Sequence, residues 1–107
     1  MNIQEMMKQA KIMQRRMEEM QAKLGQMEVQ GQSGAGMVSV VMTCKGDVRK
    51  ITIAPEAINP AEKEMLEDLV MAAVNMARQN ADNTLSSETR RLMEELGLPA
   101  DGQLPGM

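Results

Sequence analysis

The sequence predicts an α+β fold, with a long N-terminal helix, a three-stranded antiparallel sheet and a C-terminal helix or helices. A proline-free stretch of strong helix formers opens the chain, and short Val- and Ile-rich segments separated by glycine-containing turns follow it. A second amphipathic pattern, introduced by an Asn-Pro pair, then predicts more helix. The 107 residues favour one domain. We expect this domain over residues 1–97 and a flexible tail over residues 98–107.

The first helix, expected over residues 2–24, carries a regular apolar seam. Its members alternate three and four residues apart, which is the seven-residue repeat of a coiled coil: Ile3, Met6, Ala10, Met13, Met17, Met20, Leu24 and Met27. At about 1.5 Å per residue the helix would run roughly 35 Å, at least the full width of a compact domain of this size. This length favours packing against a second subunit over packing within the same domain, and both remain open.

Three short strands are expected at residues 27–30, 37–44 and 48–54, each with β-type alternation. The segments GQSGAG (31–36) and KGD (45–47) supply the turns between them. GQSGAG lies between two strands and lacks a Lys-Ser/Thr ending, so it indicates a connection and not a nucleotide-binding loop. The second face of the middle strand holds Met37, Ser39, Val41 and Thr43. It is too apolar for a fully solvated face, which suggests a covering partner.

A second helix is expected after Asn59, a good N-cap followed by Pro60, with Glu62 three residues after the cap. It carries a wide apolar stripe of Met65, Leu66, Leu69, Val70, Ala72, Ala73, Met76 and Ala77. Polar residues at 82–83 and 86–87 suggest a kink or short break, and Gly97 and Pro99 predict the end of the helical region. The residues expected to hold the body together are Val38, Val40, Ile51, Ile53, Met65, Leu69 and Met76.

The composition excludes several classes of protein. The chain has no His, and its single Cys44 lies in an apolar run, so an enzyme is improbable and Cys44 is expected to be buried. No apolar run approaches the roughly 18 residues of a membrane span. We therefore expect a cytoplasmic protein with no membrane, cofactor, metal or small-molecule substrate. Fourteen Met and no Phe, Tyr or Trp predict a thin core, which favours self-association.

The charge is unevenly distributed along the chain. Residues 1–25 carry five cations and three carboxylates, whereas residues 61–107 carry four cations and nine carboxylates. At about 100° per residue, Lys8, Lys11 and Arg15 fall within roughly 60° of each other, nearly opposite the apolar seam. Such a row could contact a phosphate backbone. The alternative is a solvated helix face with Arg15–Glu18 and Arg15–Glu19 ion pairs.

The absence of aromatic residues also excludes one mode of nucleic-acid binding. Proteins that bind single strands usually stack the bases on Phe, Tyr or Trp, and this chain has none of them. If the chain binds nucleic acid, we expect it to grip the outside of a duplex through phosphates, with little base readout.

Three segments in order resemble the YbaB/EbfC family of bacterial nucleoid-associated proteins: MMKQAKIMQRRMEEMQAKL, VQGQSGAGMVSVVMTCKGDVRKITIAPEAI and EKEMLEDLVMAAVNMA. The resemblance implies a helix–three strands–helix fold and a tweezer-like homodimer with projecting helical arms. It also implies DNA binding with little sequence specificity, which alters DNA conformation or gene expression. Many relatives carry Glu where this chain has Gln32 and Lys where it has Ser39.

The leading hypothesis is therefore a non-enzymatic, homodimeric nucleoid-associated protein that binds double-stranded DNA mainly through phosphate contacts. The candidate DNA-binding residues on the first helix are Lys8, Lys11, Arg15, Arg16 and Lys23, and secondary candidates near the turn between the second and third strands are Lys45, Arg49 and Lys50. The alternative is a coiled-coil-type protein-interaction adaptor that does not bind DNA.

Overall fold

The computed structural model describes residues 2–98 and confirms the expected helix–three strands–helix order. Helix α1 spans Ile3–Gln26, two residues further than expected. The Asn2 side chain caps its N-terminus by accepting a hydrogen bond from the Glu5 amide at 2.8 Å. The protein measures 70 × 23 × 18 Å, with a radius of gyration of 19.3 Å. A compact domain of about 100 residues has a radius near 13 Å, so the molecule is strongly elongated.

Strands β1 (Glu28–Ser33), β2 (Val38–Thr43) and β3 (Val48–Ile53) form one antiparallel sheet in the order β1-β2-β3. The expected end of β1 at residue 30 is wrong, because pairing with β2 continues to Ser33 opposite Val38. The connection to β2 is correspondingly shorter. Three residues of this connection have positive φ: Gly34 (60°), Ala35 (56°) and Gly36 (91°). The two glycines adopt this conformation without strain.

Helix α2 spans Lys63–Glu95 as one continuous helix after two 3₁₀ turns, Pro55–Ala57 and Pro60–Glu62. The short break expected at residues 82–87 is wrong. Polar residues cost only tenths of a kcal/mol each at exposed helix positions, and the flanking Ala81 and Leu92 are buried. The helix ends in a Schellman motif: the amide of Gly97 (φ 71°) donates to Glu94 O, and the amide of Leu98 donates to Met93 O.

The core lies between α2 and the first two strands. Gly31 of β1 permits this packing, because a Cβ there would lie 2.2 Å from the carbonyl oxygen of Ala73 and 2.3 Å from the backbone nitrogen of Ala77. Such close approach buries the small side chains along this side of α2 against β2. The fully buried cluster comprises Val38, Val40, Met42, Ala73, Ala77 and Ala81.

This position of α2 decides which of the expected body residues are buried. Val38 and Val40 are buried, and Leu69 and Ile53 pack partly buried against them, as expected. The other three are largely exposed in the single chain, where Ile51, Met65 and Met76 are 46%, 53% and 47% exposed. Helix α2 lies over β1 and β2 and therefore leaves much of β3 uncovered. Part of the apolar stripe predicted on α2 is consequently exposed at the surface.

Helix α2 also contacts the backbone of β1 through side chains. Asn80 Nδ2 donates to Gln30 O at 2.7 Å, and the Gln32 amide donates to Met76 Sδ at 3.4 Å. These bonds satisfy polar groups of an edge strand, which would otherwise be open to pairing with another chain. Within the described residues, β3 is the sheet edge that no strand or helix covers in this way.

Some of the expected features lie at the C-terminus of the chain. The tail expected at residues 98–107 and the stop at Pro99 lie, apart from Leu98, outside the described residues, and the single-domain boundary at 97 stays a prediction. Cys44 is buried, as expected. Within residues 2–98, neither helix has a stretch long and apolar enough to cross a bilayer.

Candidate nucleic-acid interface

Helix α1 packs against the C-terminal half of α2 only along its own C-terminal part. Lys23 Nζ lies 3.1 Å from Glu88 Oε2, the Arg16 guanidinium contacts the Glu95 carboxylate, and Leu24 is buried. Residues 3–15 of α1 continue beyond the last of these ion pairs for roughly 20 Å. We call residues 3–15 the arm and the contact region of Arg16, Lys23, Glu88 and Glu95 the arm base.

The arm presents three exposed cations that form no ion pair within residues 2–98: Lys8, Lys11 and Arg15. We call them the outer row. The Arg15–Glu18 and Arg15–Glu19 pairs of the alternative interpretation do not form in the described structure. Glu19 lies 3.9 Å from Arg16 Nε instead, and Glu18 accepts a hydrogen bond from Gln14 at 3.4 Å. The three cations of the outer row therefore have no carboxylate within ion-pair distance among the described residues.

The other two candidate cations of α1 have acidic partners on α2. Arg16 contacts Glu95, and Lys23 contacts Glu88. Glu88 also lies 3.7 Å from Arg91 Nη1, and its side chain is only 11% exposed. Sequence reasoning missed Glu88 and Glu95, because they stand 65 and 79 residues from their partners and no local pattern connects them.

The three secondary candidates do not form one patch. Lys45 is exposed and lies against Gly25, and Arg49 Nη2 donates to the carbonyl oxygen of Gly25 at 3.4 Å, so both are near the C-terminal end of α1. Lys50 stands opposite Val41 in the β2–β3 register, whereas Ile51 stands opposite the buried Val40. Lys50 therefore lies on the sheet face away from α2.

The apolar seam lies on a different side of the arm from the outer row. Ile3, Met6 and Met17 are 74%, 55% and 48% exposed. An open apolar groove of about 530 Å³ runs between this seam and the end of α2. Its apolar lining consists of Met13, Met17, Met20, Leu85, Leu92, Met93, Leu96 and Leu98.

The described residues of the site are groups that can bind an anion. Among the described residues, no group of three or more His, Cys, Asp or Glu is arranged to hold a metal ion. The cations of the outer row present donor groups to solvent, and donors of this kind suit oxyanions such as phosphate.

Comparison with known proteins identifies the family of the chain. The family model of the YbaB/EbfC DNA-binding family matches residues 1–96. The chain is 46% identical over 104 residues to a nucleoid-associated protein of Granulibacter bethesdensis and 45% identical over 104 residues to one of Gluconacetobacter diazotrophicus, and each match covers 97% of both chains.

The fold also matches a solved structure. The crystal structure of an uncharacterized protein from Helicobacter pylori superposes with a TM-score of 0.76 at 18% identity, covering 87% of this chain and 98% of that one. The Helicobacter structure supports the fold alone, whereas the family match and the two relatives extend over nearly the whole sequence. The chain belongs to the YbaB/EbfC DNA-binding family.

Proposed function

We propose that this protein binds double-stranded DNA as a homodimer, mainly through phosphate contacts, and thereby alters the conformation of the DNA. The observation that carries the proposal is the outer row: Lys8, Lys11 and Arg15 are exposed on a projecting helix and have no carboxylate partner within the described residues. Membership of a DNA-binding family supports the same function.

The geometry of the outer row suits a duplex backbone. From Lys8 to Arg15 the helix advances roughly 10 Å, a length over which the axis of B-DNA carries about six phosphate charges. The row has no aromatic neighbour on which a base could stack, since the chain contains none. Binding of this kind fixes the protein on the duplex without reading its sequence.

Exposed apolar surface supports the homodimer. Val48 and Ile51 of β3 are 47% and 46% exposed. A second copy of the chain would cover such surface, and a thin core without aromatic residues gains from that burial. Two arms from one dimer would also reach the same duplex together, which raises the effective affinity of each.

The relatives also indicate where the protein works. Two proteins that share 45–46% of their residues with this chain are named nucleoid-associated proteins. These names support the proposal that this chain also acts in the cytoplasm, on the nucleoid, where low-specificity binding would organise DNA and influence gene expression.

A gel shift on a duplex over a salt series tests the phosphate contacts. Replacing Lys8, Lys11 and Arg15 by Ala should make the plot of log affinity against log salt shallower by about 2.7 per arm engaged, at roughly 0.9 per phosphate contact. The matched control replaces Lys63, Arg78 and Arg90, three exposed cations of α2, by Ala. An unchanged slope in the arm variant, or an equal loss in the control, would remove the outer row from the interface.

The open apolar groove favours a second candidate function, a protein-interaction adaptor. In that case the groove between the arm seam and the end of α2 would hold an apolar segment of another protein. A stoichiometric protein partner that survives nuclease treatment, together with no DNA shift near physiological salt, would favour the adaptor over the DNA-binding protein.

A further inference from the structure

The arm base is a nearly balanced cluster of charges between two helices. Arg16 contacts Glu95 and lies 3.9 Å from Glu19, while Glu88 bridges Lys23 at 3.1 Å and Arg91 at 3.7 Å. Three cations thus face three carboxylates. The outer row, only a few residues away on the same helix, has three cations and no carboxylate partner within residues 2–98.

The two ion pairs between the helices differ in how well they are protected from water. The side chains of Arg16 and Glu95 are 38% and 44% exposed, so this pair is weak by itself. The Glu88 side chain is only 11% exposed and has two cationic neighbours. Solvent therefore screens the Glu88 carboxylate less than the Glu95 carboxylate, although Lys23 itself is 52% exposed.

A carboxylate oxygen and a phosphate oxygen accept hydrogen bonds from the same ammonium and guanidinium donors. A cation that contacts a carboxylate belongs to a pair with almost no net charge. Such a pair contributes little to the release of counterions from DNA. Lys23 and Arg16 nevertheless keep 52% and 38% of their side chains exposed, so each is accessible to a duplex from its open side. The carboxylates of α2 and the phosphates of DNA would compete for these two cations.

We infer that Glu88 and Glu95 withhold Lys23 and Arg16 from DNA and so confine phosphate contacts on α1 to the outer row. The inference rests on the proposed DNA-binding function. Glu88 and Glu95 are positioning residues here, since they act on DNA only through the cations that they hold. The carboxylates of α2 would thereby limit the number of phosphates that each arm neutralises.

The test replaces both carboxylates by amides of the same shape, in the double variant Glu88→Gln/Glu95→Gln. Release of two cations should make the salt dependence of duplex binding steeper by about 1.8 per arm engaged, at roughly 0.9 per additional phosphate. Between 200 and 50 mM salt, the variant should then gain, for each arm engaged, about 12-fold more affinity than the wild type gains over the same range. An unchanged or shallower slope would overturn the inference, and a shallower slope would show that these carboxylates only orient the arm.

A matched control removes the same charge without touching the arm base. Glu64 and Glu94 are exposed on α2, and their side chains form no ion pair within the described residues. Glu64→Gln/Glu94→Gln should therefore leave the slope close to that of the wild type. An equal steepening in this control would assign the effect to net charge and would overturn the inference.

A second measurement uses Lys23→Ala in two backgrounds and does not need the double variant to be stable. In the wild type, Lys23→Ala should leave the slope of log affinity against log salt nearly unchanged. In the Glu88→Gln background, the same substitution should make that slope shallower by about 0.9 per arm engaged. Equal effects in both backgrounds would overturn the inference. A wild type that shifts no duplex would overturn the proposed function as well, whereas a wild-type slope that depends on the outer row but not on Glu88 would overturn this inference alone.

Discussion

The two helices differ in what they do with similar apolar patterns. Helix α2 buries Ala73, Ala77 and Ala81 to 1% exposure or less, whereas Met6 and Met17 in the seam of α1 stay 55% and 48% exposed. The smaller side chains are buried because Gly31 lets the α2 backbone approach the sheet closely. Burial in this protein therefore follows from how near two backbones can come, and apolar character alone does not decide it.

The same two regions differ in charge. The arm carries the outer row without carboxylate partners among the described residues, whereas the cations of the arm base contact acidic residues of α2. The sheet and α2 contain the buried core, whereas the arm exposes both charge and apolar surface. Substitutions in the two regions should consequently affect different properties.

The largest expected effect comes from closing the space at Gly31. Gly31→Val should lower the free energy of unfolding by about 3 kcal/mol or more, because its Cβ would overlap the backbone of α2. Urea denaturation measures the change. Gly25→Ala is the control, since a Cβ there meets only the Lys45 side chain at 3.3 Å, and this variant should be as stable as the wild type or slightly more stable. A mild effect at Gly31 would contradict the close packing of α2.

A smaller effect separates core from arm directly. Val40 is fully buried, so Val40→Ala should cost about 2 kcal/mol, whereas Met13→Ala on the arm should cost less than about 0.5 kcal/mol. Thermal unfolding at several protein concentrations measures both. If Met13→Ala costs as much as Val40→Ala, and the cost grows with concentration, the arm seam is buried between subunits.

A third comparison sets the secondary cations against the outer row. Lys45→Ala/Lys50→Ala should make the salt dependence of DNA binding shallower by less than about 0.9, because the two side chains lie in separate places and cannot follow one backbone as the row does. The gel shift that measures the arm variant also measures this one. A loss as large as that of the arm variant would move the DNA contact to the body.

The smallest effect is expected at the tip of the arm. Asn2→Ala removes the N-cap bond to the Glu5 amide and should destabilise the first turn of α1 by about 1 kcal/mol or less. Since this turn lies in the arm, beyond the ion pairs with α2, amide exchange near Glu5 should speed up while the melting temperature stays the same. A lower melting temperature would mean that the tip is packed against another part of the assembly.

Local patterns were sufficient for much of the fold. Most of α1 and the turn at 45–47 follow from propensity and side-chain spacing, which act within a few residues. Asn59 was expected to cap the second helix, but it caps the 3₁₀ turn Pro60–Glu62, and α2 begins only at Lys63. The extension of β1 to Ser33 did not follow, because GQS is weak as a strand by itself. Pairing with β2 and the packing of α2 on Gly31 hold those residues extended.

The candidate site divides in the same way. The outer row was predictable, because helical periodicity alone places Lys8, Lys11 and Arg15 on one side of α1. The state of Arg16 and Lys23 was not, because their partners lie 79 and 65 residues away along the chain. The apolar stripe of α2 was predicted too wide for the same kind of reason, since Met65 and Met76 stay 53% and 47% exposed once the alanines contact the sheet.

The sequence by itself determined a long helix with methionines on one side and cations on the other, because both features repeat with the period of the helix. Only the tertiary structure decided which apolar residues are buried and which cations form ion pairs with carboxylates. Burial and ion pairing require particular atoms of distant segments to meet, and where they meet depends on how closely α2 approaches the sheet at Gly31.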